Sequence, residues 1–316
     1  MKIGYFLSCE ENGPAELVAQ ARAAEEAGFQ GLWISDHYHP WIHAQGESPF
    51  VWAVIGALAE ATSRLPVTTA VTAPTVRIHP AVIAQAAATA AAMFPGRFNL
   101  GVGSGEALNE QILGDDWPEA DVRLEMLEEA IDVMRELWTG AVVSRAGNHY
   151  RVRHARIYTL PEAPPPVLVS GFGPKAVDLA ARVADGYVTT MPDASLIERY
   201  RAGGGDGPVQ AGTKVCYARD EAEARRMAHR LWPNEVLPGE LAQVLSTPEH
   251  FEQATELVTE DMVAESIPCG PDIERHVESI QEFADAGVDE LYIQQIGGGR
   301  EFFEVYAREV LPRFTG

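Results

Sequence analysis

Short apolar segments alternate with amphipathic segments along the 316 residues of the chain. The first apolar run covers residues 2–8, and at residues 14–28 apolar positions recur at helical spacing and end at Gly28. Seven further runs of strand length follow, at residues 31–35, 66–74, 98–105, 166–173, 186–192, 213–219 and 290–297. Alternating strands and helices predict a parallel sheet buried on both faces. Eight strands favour a closed (β/α)8 TIM barrel over an open sheet.

Two segments interrupt this alternation. Residues 141–166 have the pattern of a β-hairpin around an Ala-Gly-Asn turn, and residues 233–270 have a helical pattern. Neither segment has the composition of a linker. We therefore predict a single TIM-barrel domain over residues 1–316, with a hairpin insertion near 141–166 and a helical insertion near 233–270.

The charge and the cysteine content restrict the partners of the chain. Lys and Arg number 24 and Asp and Glu number 46, and the resulting net charge of −22 disfavours nucleic acid and anionic membranes. Three scattered cysteines predict neither a disulfide framework nor a metal site, and they fit a reducing cytoplasm. The first residues lack the pattern of a signal peptide, and the most apolar long segment, residues 80–93, is too short to span a bilayer.

Polar residues gather where predicted strands end. The second strand runs into Ser-Asp-His-Tyr-His-Pro-Trp at residues 35–41, the first ends at Glu10, and the fourth is followed by Glu106 and Asn109. One such residue alone is as often a hydrogen-bonded core residue as a functional one. In a (β/α)8 barrel, however, the carboxyl ends of the strands carry the active site. Polar groups at several strand ends together therefore predict a catalytic site there.

The fifth strand ends in Ser-Gly-Phe-Gly-Pro-Lys-Ala at residues 170–176. Gly171 and Gly173 allow close approach of the backbone to a ligand, and Pro174 suits the first turn of a helix. The free N–H groups of such a turn bind anions, and Lys175 adds positive charge. A tight turn without a ligand is the alternative, but a phosphate-bearing cofactor is the better interpretation.

Four ordered blocks, at residues 35–41, 72–85, 101–110 and 170–176, carry a family resemblance. The chain resembles the bacterial luciferase-like superfamily and, within it, the dehydrogenases that use the deazaflavin coenzyme F420, including the F420-dependent glucose-6-phosphate dehydrogenase group. The resemblance implies coenzyme F420 as the cofactor, with FMN as the alternative, and a homodimer. The likeness is weakest over residues 192–269.

The resemblance also implies roles for individual residues. The catalytic residues would be His37, Glu106 and Trp41, and Glu10 would bind the substrate together with Trp41. The cofactor would be bound by Asp36, Ala70, Val71, Ala73, Glu106, Asn109, Gly171, Phe172, Gly173, Pro174, Lys175 and Ala176. The family carries a non-prolyl cis peptide that would fall at Ala70–Val71 here.

Oxidation of an alcohol fits these residues. It requires a hydride acceptor, which the cofactor supplies, and a base for the hydroxyl proton. His37 suits the base because an unperturbed imidazole has a pKa of about 6.5. Glu106 suits an acid near the deazaflavin, and Trp41 suits a cover over the site.

The substrate is where this chain differs from the family. The sugar-phosphate enzymes hold phosphate with two lysines and an arginine, from the segment after the sixth strand and from the helical insertion. Here the lysines are Lys2, Lys175 and Lys214, residues 233–274 hold no lysine or arginine, and eight acidic residues lie within 233–270. We therefore expect an alcohol, a carbonyl compound or a sugar without phosphate. The alternatives are an F420-dependent glucose-6-phosphate dehydrogenase, an FMN-dependent luciferase-like monooxygenase and a non-catalytic cofactor-binding barrel.

Overall fold

The computed structural model describes residues 1–314 and contains a closed barrel of eight parallel strands. In chain order the strands are β1 (Lys2–Leu7), β2 (Leu32–Ile34), β3 (Val67–Thr69), β4 (Phe98–Val102), β5 (Val143–Ala146), β6 (Arg151–Ala155), β7 (Val167–Ser170), β8 (Gly186–Thr189), β9 (Val209–Val215) and β10 (Glu290–Gln295). Around the barrel the order is β1-β10-β9-β8-β7-β4-β3-β2, while β5 and β6 form a separate antiparallel hairpin. The predicted (β/α)8 fold is confirmed.

Helices follow the barrel strands and cover the outside. They are α1 (Pro14–Ala27), α2 (Val51–Ala61), α3 (Pro80–Met93), α4 (Ala107–Glu110), α5 (Ala120–Leu137), α6 (Pro174–Val183), α7 (Ala194–Ala202), α8 (Glu221–Leu231), α9 (Leu241–Val244), α10 (Pro248–Ala254), α11 (Glu260–Ser266), α12 (Ile273–Asp285) and α13 (Arg300–Val305). Short 3₁₀ turns lie at Gln111–Leu113, Pro233–Val236 and Leu311–Arg313, and a π-helical turn lies at Tyr306–Val310. Among residues 1–314, no helix combines the length and the apolar character needed to cross a bilayer.

The predicted seventh strand has the wrong bounds. It was expected at residues 213–219, but β9 covers Val209–Val215, where it pairs with β10 from Gln210 onwards. Beyond Val215 the chain makes one isolated bridge, from Cys216 to Cys269, and leaves the barrel because β10 has ended. The apolar run therefore continues past the end of the strand, through the buried Cys216 to the half-buried Tyr217 and Ala218.

Two stacked aromatic rings fill the interior of the barrel. The rings of Trp33 in β2 and Tyr292 in β10 are stacked nearly parallel, with centroids 4.8 Å apart, and Phe6 meets Trp33 edge-on. Glycines make room for them, because a Cβ on Gly212 would lie 2.5 Å from the Trp33 ring and one on Gly4 would lie 2.4 Å from Tyr292. Stacked pairs of this kind contribute about 0.5–1.5 kcal/mol beyond the area they bury. The aromatic pair forms a solid floor below the strand ends.

The two segments outside the alternation have structures of their own. The β5–β6 hairpin is fixed to the barrel by Glu129 of α5, whose carboxylate accepts hydrogen bonds from the backbone N–H groups of residues 148–150. Residues 233–266 form the 3₁₀ turn at Pro233–Val236 and helices α9 to α11, which lie between α8 and α12 in the chain. The division of the chain into one domain with two insertions stays a prediction.

Candidate active site

An imidazole between two carboxylates lies at the carboxyl ends of β1, β2 and β4. His37 Nε2 is 3.4 Å from Glu10 Oε1 and 3.7 Å from Glu106 Oε2. The His37 side chain is only 9% exposed and that of Glu10 only 4%, whereas Glu106 is one-third exposed and borders the open cleft. Three residues from three strand ends therefore share one ionisable cluster, as expected for the catalytic end of a barrel.

Two serine hydroxyls hold the buried Glu10 carboxylate. Ser8 Oγ donates to Glu10 Oε2 over 2.8 Å, and Ser35 Oγ donates to the same oxygen over 2.7 Å. Ser35 also accepts the backbone N–H of Cys9, which fixes the strand ends of β1 and β2 relative to each other. A buried carboxylate needs such donors because water is absent. Glu10 is thereby held with its other oxygen toward His37.

The orientation of His37 is set by its second nitrogen. Nδ1 lies 3.1 Å from the carbonyl oxygen of His39 and 3.1 Å from Nδ2 of Asn109. With the proton on Nδ1 the ring donates to the His39 carbonyl and Nε2 is the unprotonated base, whereas with the proton on Nε2 the Nδ1 atom accepts from Asn109 Nδ2. Asn109 Oδ1 accepts the backbone N–H groups of Tyr38 and His39. Asn109 therefore positions the whole segment that carries His37.

Glu106 is suited to hold a proton. Removal of its carboxyl from bulk water raises the pKa of Glu106, and the nearby His37 and the amide of Asn109 partly oppose this shift. Asn109 Nδ2 donates to Glu106 Oε2 over 3.1 Å. A raised pKa makes a carboxyl group better suited to act as a general acid.

Trp41 covers the imidazole. Its ring centroid is 4.9 Å from that of His37, and its other side meets Phe251 of α10 edge-on at 5.2 Å. The Trp41 backbone N–H donates to Gln45, which in turn donates to the carbonyl oxygen of Leu231 at the end of α8. The indole is therefore held between the strand end and the helical segment that contains α10.

A cleft of about 290 Å³ adjoins this cluster. Its lining comes from the ends of β2, β3, β4, β7 and β8 and from the region of α9. Eight of the predicted cofactor residues line it, namely Asp36, Val71, Ala73, Glu106, Asn109, Gly171, Phe172 and Ala176. The peptide bond Ala70–Val71 is cis, as the resemblance implied. Ala70, Gly173, Pro174 and Lys175 are not part of the lining.

The turn at residues 171–176 begins helix α6. Gly173 is the N-cap residue and Pro174 the first helical residue, so free N–H groups of the first turn point out of the helix. Gly171 is required for packing, because a Cβ there would lie 2.8 Å from the Cβ of Ala176, whereas the space beside Gly173 is open. Lys175 is exposed and binds both carboxylate oxygens of Asp121 at 2.7 Å. Its charge is therefore shared with Asp121.

A larger cavity lies at the opposite end of the barrel. It has a volume of about 730 Å³ and is bordered by Lys2, Glu290 and the prolines at residues 164–166. These residues stand at the amino ends of the strands or in the loops before them. None of the histidine and carboxylate groups described above borders it. We assign the site to the smaller cleft because the ionisable cluster adjoins that one.

A buried ion cluster in the wall of the cleft was not predicted from the sequence. Arg77 Nη2 donates to Asp36 Oδ1 over 2.8 Å, and the Arg77 Nε lies 3.5 Å from Glu110 Oε1. The three side chains are at most 6% exposed. Thr72 Oγ1 binds the other oxygen of Asp36, so this carboxylate is fully engaged. Arg77 and Glu110 lie within blocks of the resemblance, which was the available signal for them.

Glu110 contributes a pH dependence to stability. Burial raises its pKa to about 7 from 4.5, against the opposing effect of the Arg77 backbone N–H and guanidinium. Because the folded-state pKa lies above that of the unfolded chain, this contribution is present at low pH and is lost as the pH rises through about 7.

We therefore expect the melting temperature of Glu110→Gln, relative to wild type, to increase from pH 5 to pH 8. Each unit of pKa difference corresponds to about 1.4 kcal/mol. Calorimetry at several pH values measures this difference, with the exposed Glu198→Gln as control. A difference between Glu110→Gln and wild type that stays constant over this range would contradict the assignment.

Known proteins resemble this chain over most of its length. The family model for luciferase-like monooxygenases matches residues 1–290. A relative from Microbacterium testaceum, named F420-dependent glucose-6-phosphate dehydrogenase, is 38% identical over 99% of this chain and 97% of its own length. A relative of the same name from Nakamurella multipartita is 36% identical over 99% of this chain and 96% of its own length.

Two solved structures of F420-dependent enzymes have the same fold as this chain. An F420-dependent secondary alcohol dehydrogenase in complex with an F420-acetone adduct superposes with a TM-score of 0.92 at 31% identity, over 100% of this chain and 99% of that chain. The F420-dependent tetrahydromethanopterin reductase of Methanopyrus kandleri, at 20% identity and a TM-score of 0.80 with both chains covered completely, shares the fold. The chain therefore belongs to the luciferase-like family, as its sequence blocks predicted.

Proposed function

We propose that the chain is an F420-dependent oxidoreductase that transfers a hydride between coenzyme F420 and an alcohol or carbonyl group of a small molecule. The observation that carries this proposal is the placement of His37 between Glu10 and Glu106, at the edge of a cleft lined by residues implied in F420 binding. The full-length relatives and the solved alcohol dehydrogenase, all named as F420-dependent, support it.

The residues present fit a deazaflavin. The cleft wall contains Val71, which is joined to Ala70 by the cis peptide bond, and Gly103 lies so close that a Cβ there would be 2.8 Å from the Val71 side chain. The first turn of α6, with open space beside Gly173, fits the phosphate of the cofactor. Asp36, Asn109 and the other lining residues would hold the ring system.

The chemistry divides between the cofactor and the protein. When bound, a deazaflavin takes up or gives back a hydride. Conversion of an alcohol to a carbonyl also releases the hydroxyl proton, and His37 Nε2 receives that proton in our proposal. Glu10 stabilises the imidazolium that results, because a carboxylate 3.4 Å away favours the charged ring. Glu106 supplies a proton on the cofactor side of the site, as its raised pKa allows.

Trp41 excludes water from the reacting groups. Its indole lies against His37 and Phe251, and its ring face favours positive charge that develops nearby. In the direction from carbonyl to alcohol the same groups act in reverse, so that His37 donates the proton that it accepts in the oxidation.

The expectation of a substrate without phosphate is not borne out. Relatives at 36–38% identity are named for glucose 6-phosphate, while the similar solved structure is a secondary alcohol dehydrogenase. A sugar phosphate and a simple alcohol are therefore both consistent with the relatives. The segment after the sixth strand and the helical insertion lack lysine, but a cation can also come from a strand of the barrel itself.

The cofactor prediction is tested by binding. We expect the protein to bind oxidised F420 with micromolar or tighter affinity and FMN much more weakly. Fluorescence titration with both cofactors measures this, and absorbance of the loaded protein distinguishes the two. Tight binding of FMN together with no response to F420 would contradict the proposal and favour the monooxygenase alternative.

The catalytic roles are tested by substitution. We expect His37→Ala and Glu106→Gln each to lower kcat by about two to four orders of magnitude, the range for acid–base groups. F420 affinity should remain close to that of wild type. The matched controls are His43→Ala and Glu252→Gln, which alter exposed residues of the same types. Near-normal turnover of either active-site variant would exclude its proposed chemical role.

We also propose that the protein acts as a homodimer in the cytoplasm, without nucleic acid as a partner.

An apolar groove between α2 and α3 supports the dimer, since Phe50, Val82 and Met93 are 59%, 57% and 41% exposed there. We expect Val82→Asp to convert a dimer into monomers in light-scattering chromatography, while Leu257→Asp, at an exposed site elsewhere, leaves the mass unchanged. A Val82→Asp variant with an unchanged mass would contradict this interface.

A further inference from the structure

Two cysteines that are far apart in the sequence meet where β9 leaves the barrel. Cys216 directly follows β9, and Cys269 lies in the loop between α11 and α12. The Cys216 backbone N–H donates to the carbonyl oxygen of Pro268 over 2.9 Å, and the Gly270 N–H donates to the carbonyl oxygen of Cys216 over 3.0 Å. These two bonds form an isolated parallel bridge in which Cys216 and Cys269 are direct partners.

The bridge gives the pair the backbone spacing of a disulfide. Neighbouring strands lie about 4.8 Å apart, and side chains that are opposite each other in a parallel pair point to the same face. Disulfides usually join Cα atoms that are about 4.4–6.8 Å apart. Both cysteines are buried, at 0% and 2% exposed, in one apolar cluster that also contains Ala228 and Ile267. Both thiols are free.

The two thiols make only weak contacts. Cys216 Sγ lies 3.9 Å from the carbonyl oxygen of Ile296, and Cys269 Sγ lies 3.3 Å from that of Ile267. Because a thiol is a weak donor, oxidation of the pair gives up little hydrogen bonding. Among residues 1–314, no group of three or more His, Cys, Asp and Glu side chains is placed to hold a metal ion. The placement of the pair therefore favours oxidation to a disulfide over metal binding.

The third cysteine has different surroundings. Cys9 is equally buried, but it belongs to the main core cluster, which does not include Cys216 or Cys269. The cluster of the pair lies instead between α8 and α11 and contains Ala224 and Val263 from these helices. Cys9 is therefore a matched control for a buried thiol without a cysteine partner.

The pair stands at the two ends of the segment that covers the active site. The chain between the cysteines contains α8, α9, α10 and α11. Ala242 and Gln243 of this segment line the cleft, and Phe251 packs against Trp41. A covalent bond between the two ends closes the segment into a loop and reduces the number of conformations that it can adopt when it opens.

We propose that Cys216 and Cys269 are a redox-sensitive pair, and that a peroxide oxidises them to a disulfide that holds the segment from α8 to α11 on the barrel. This inference is independent of the proposed oxidoreductase function. In the first step one thiol sulfur attacks the O–O bond of the peroxide and becomes a sulfenic acid, and one water leaves. In the second step the other thiol displaces the hydroxyl group from that sulfur, the S–S bond forms, and a second water leaves. Two electrons pass from sulfur to oxygen, and both thiol protons end in water.

Burial keeps the pair reduced under ordinary conditions. It raises the pKa of Cys269 to about 11, and it raises the pKa of Cys216 together with the charge of the neighbouring Cys269. The thiolate is the reactive form, so both thiols react slowly near neutral pH and the disulfide forms only when peroxide is abundant. We therefore expect the rate of disulfide formation to increase from pH 7 to pH 9.

Thiol counting and peptide mapping test the pair. Wild type, Cys9→Ala, Cys216→Ala and Cys269→Ala are treated with hydrogen peroxide at pH 7 and pH 9, then denatured and alkylated with iodoacetamide. Wild type and Cys9→Ala should each lose two alkylated thiols and give a peptide that links residues 216 and 269 and is about 2 Da lighter than the two separate peptides. Dithiothreitol should restore both thiols. Cys216→Ala and Cys269→Ala should give no internal link.

Proteolysis of the native protein tests whether the disulfide restrains the segment. Residues 233–274 hold no lysine or arginine but many acidic residues, so a protease that cleaves after glutamate is the suitable probe. We expect cleavage within residues 233–266 to be about threefold or more slower in oxidised than in reduced wild type, because the closed loop opens less often. Peroxide should leave the cleavage rate of Cys216→Ala unchanged. Circular dichroism of each variant shows that its fold is intact.

Three results would overturn the proposal. The first is a wild-type protein that keeps all its thiols in excess peroxide at pH 9. The second is a disulfide that involves Cys9 or joins two chains. The third is a link between Cys216 and Cys269 that leaves the rate of cleavage within the segment unchanged.

Discussion

Two carboxylates within 4 Å of one buried imidazole repel each other unless positive charge or a proton lies among them. The site meets this constraint with hydrogen-bond donors around each carboxylate and with a raised pKa of Glu106, which favours a proton on that carboxyl beside His37 and Glu10. Ser8 and Ser35 hold Glu10, while Asn109 holds Glu106 and the His37 segment together. The different surroundings separate the roles of the two carboxylates. Glu10 is held by hydroxyl donors, whereas burial favours the protonated form of Glu106.

The barrel is what brings these groups together. Each of them comes from a different strand end, and no two of Glu10, His37 and Glu106 are near in sequence. Both carboxylates approach His37 to within 4 Å because the sheet closes, and the closed barrel has room for the Trp33 and Tyr292 rings because Gly212 and Gly4 carry no Cβ. The packing of these two rings inside the barrel thus helps to set the positions of the side chains at the strand ends.

The sequence predicted the strands better than their ends. Apolar runs identified all eight barrel strands, because strands buried on both faces need continuous apolar residues. The bounds of β9 were missed because the apolar run continues through Cys216, which is as buried as Val215, into half-buried loop residues. At the site, His37 and Glu106 were found from strand-end polarity and from family blocks. Arg77 and Glu110 were overlooked as a pair, since their contact joins residues 33 positions apart that only the folded loop brings together.

Lys214 shows a different limit of sequence reasoning. A lysine inside an apolar run carries no sign of which way it points, and only the register of β9 beside β10 directs it into the barrel. The mouth of the barrel is formed by the ends of several strands. A count of lysines and arginines in one or two segments therefore underestimates the number of cations at this mouth. The same limit applies to Gln294, whose free amide oxygen is visible only when the partners of every atom are known.

The stacked rings of Trp33 and Tyr292 have a consequence for proton traffic. Because they close the interior, protons exchanged by His37 do not pass along the barrel axis to the solvent at the amino ends of the strands. Exchange with solvent takes place through the mouth, past Trp41 and the bound ligands. With His37 as the base, as proposed, the proton taken from a substrate leaves by the same mouth through which the product leaves.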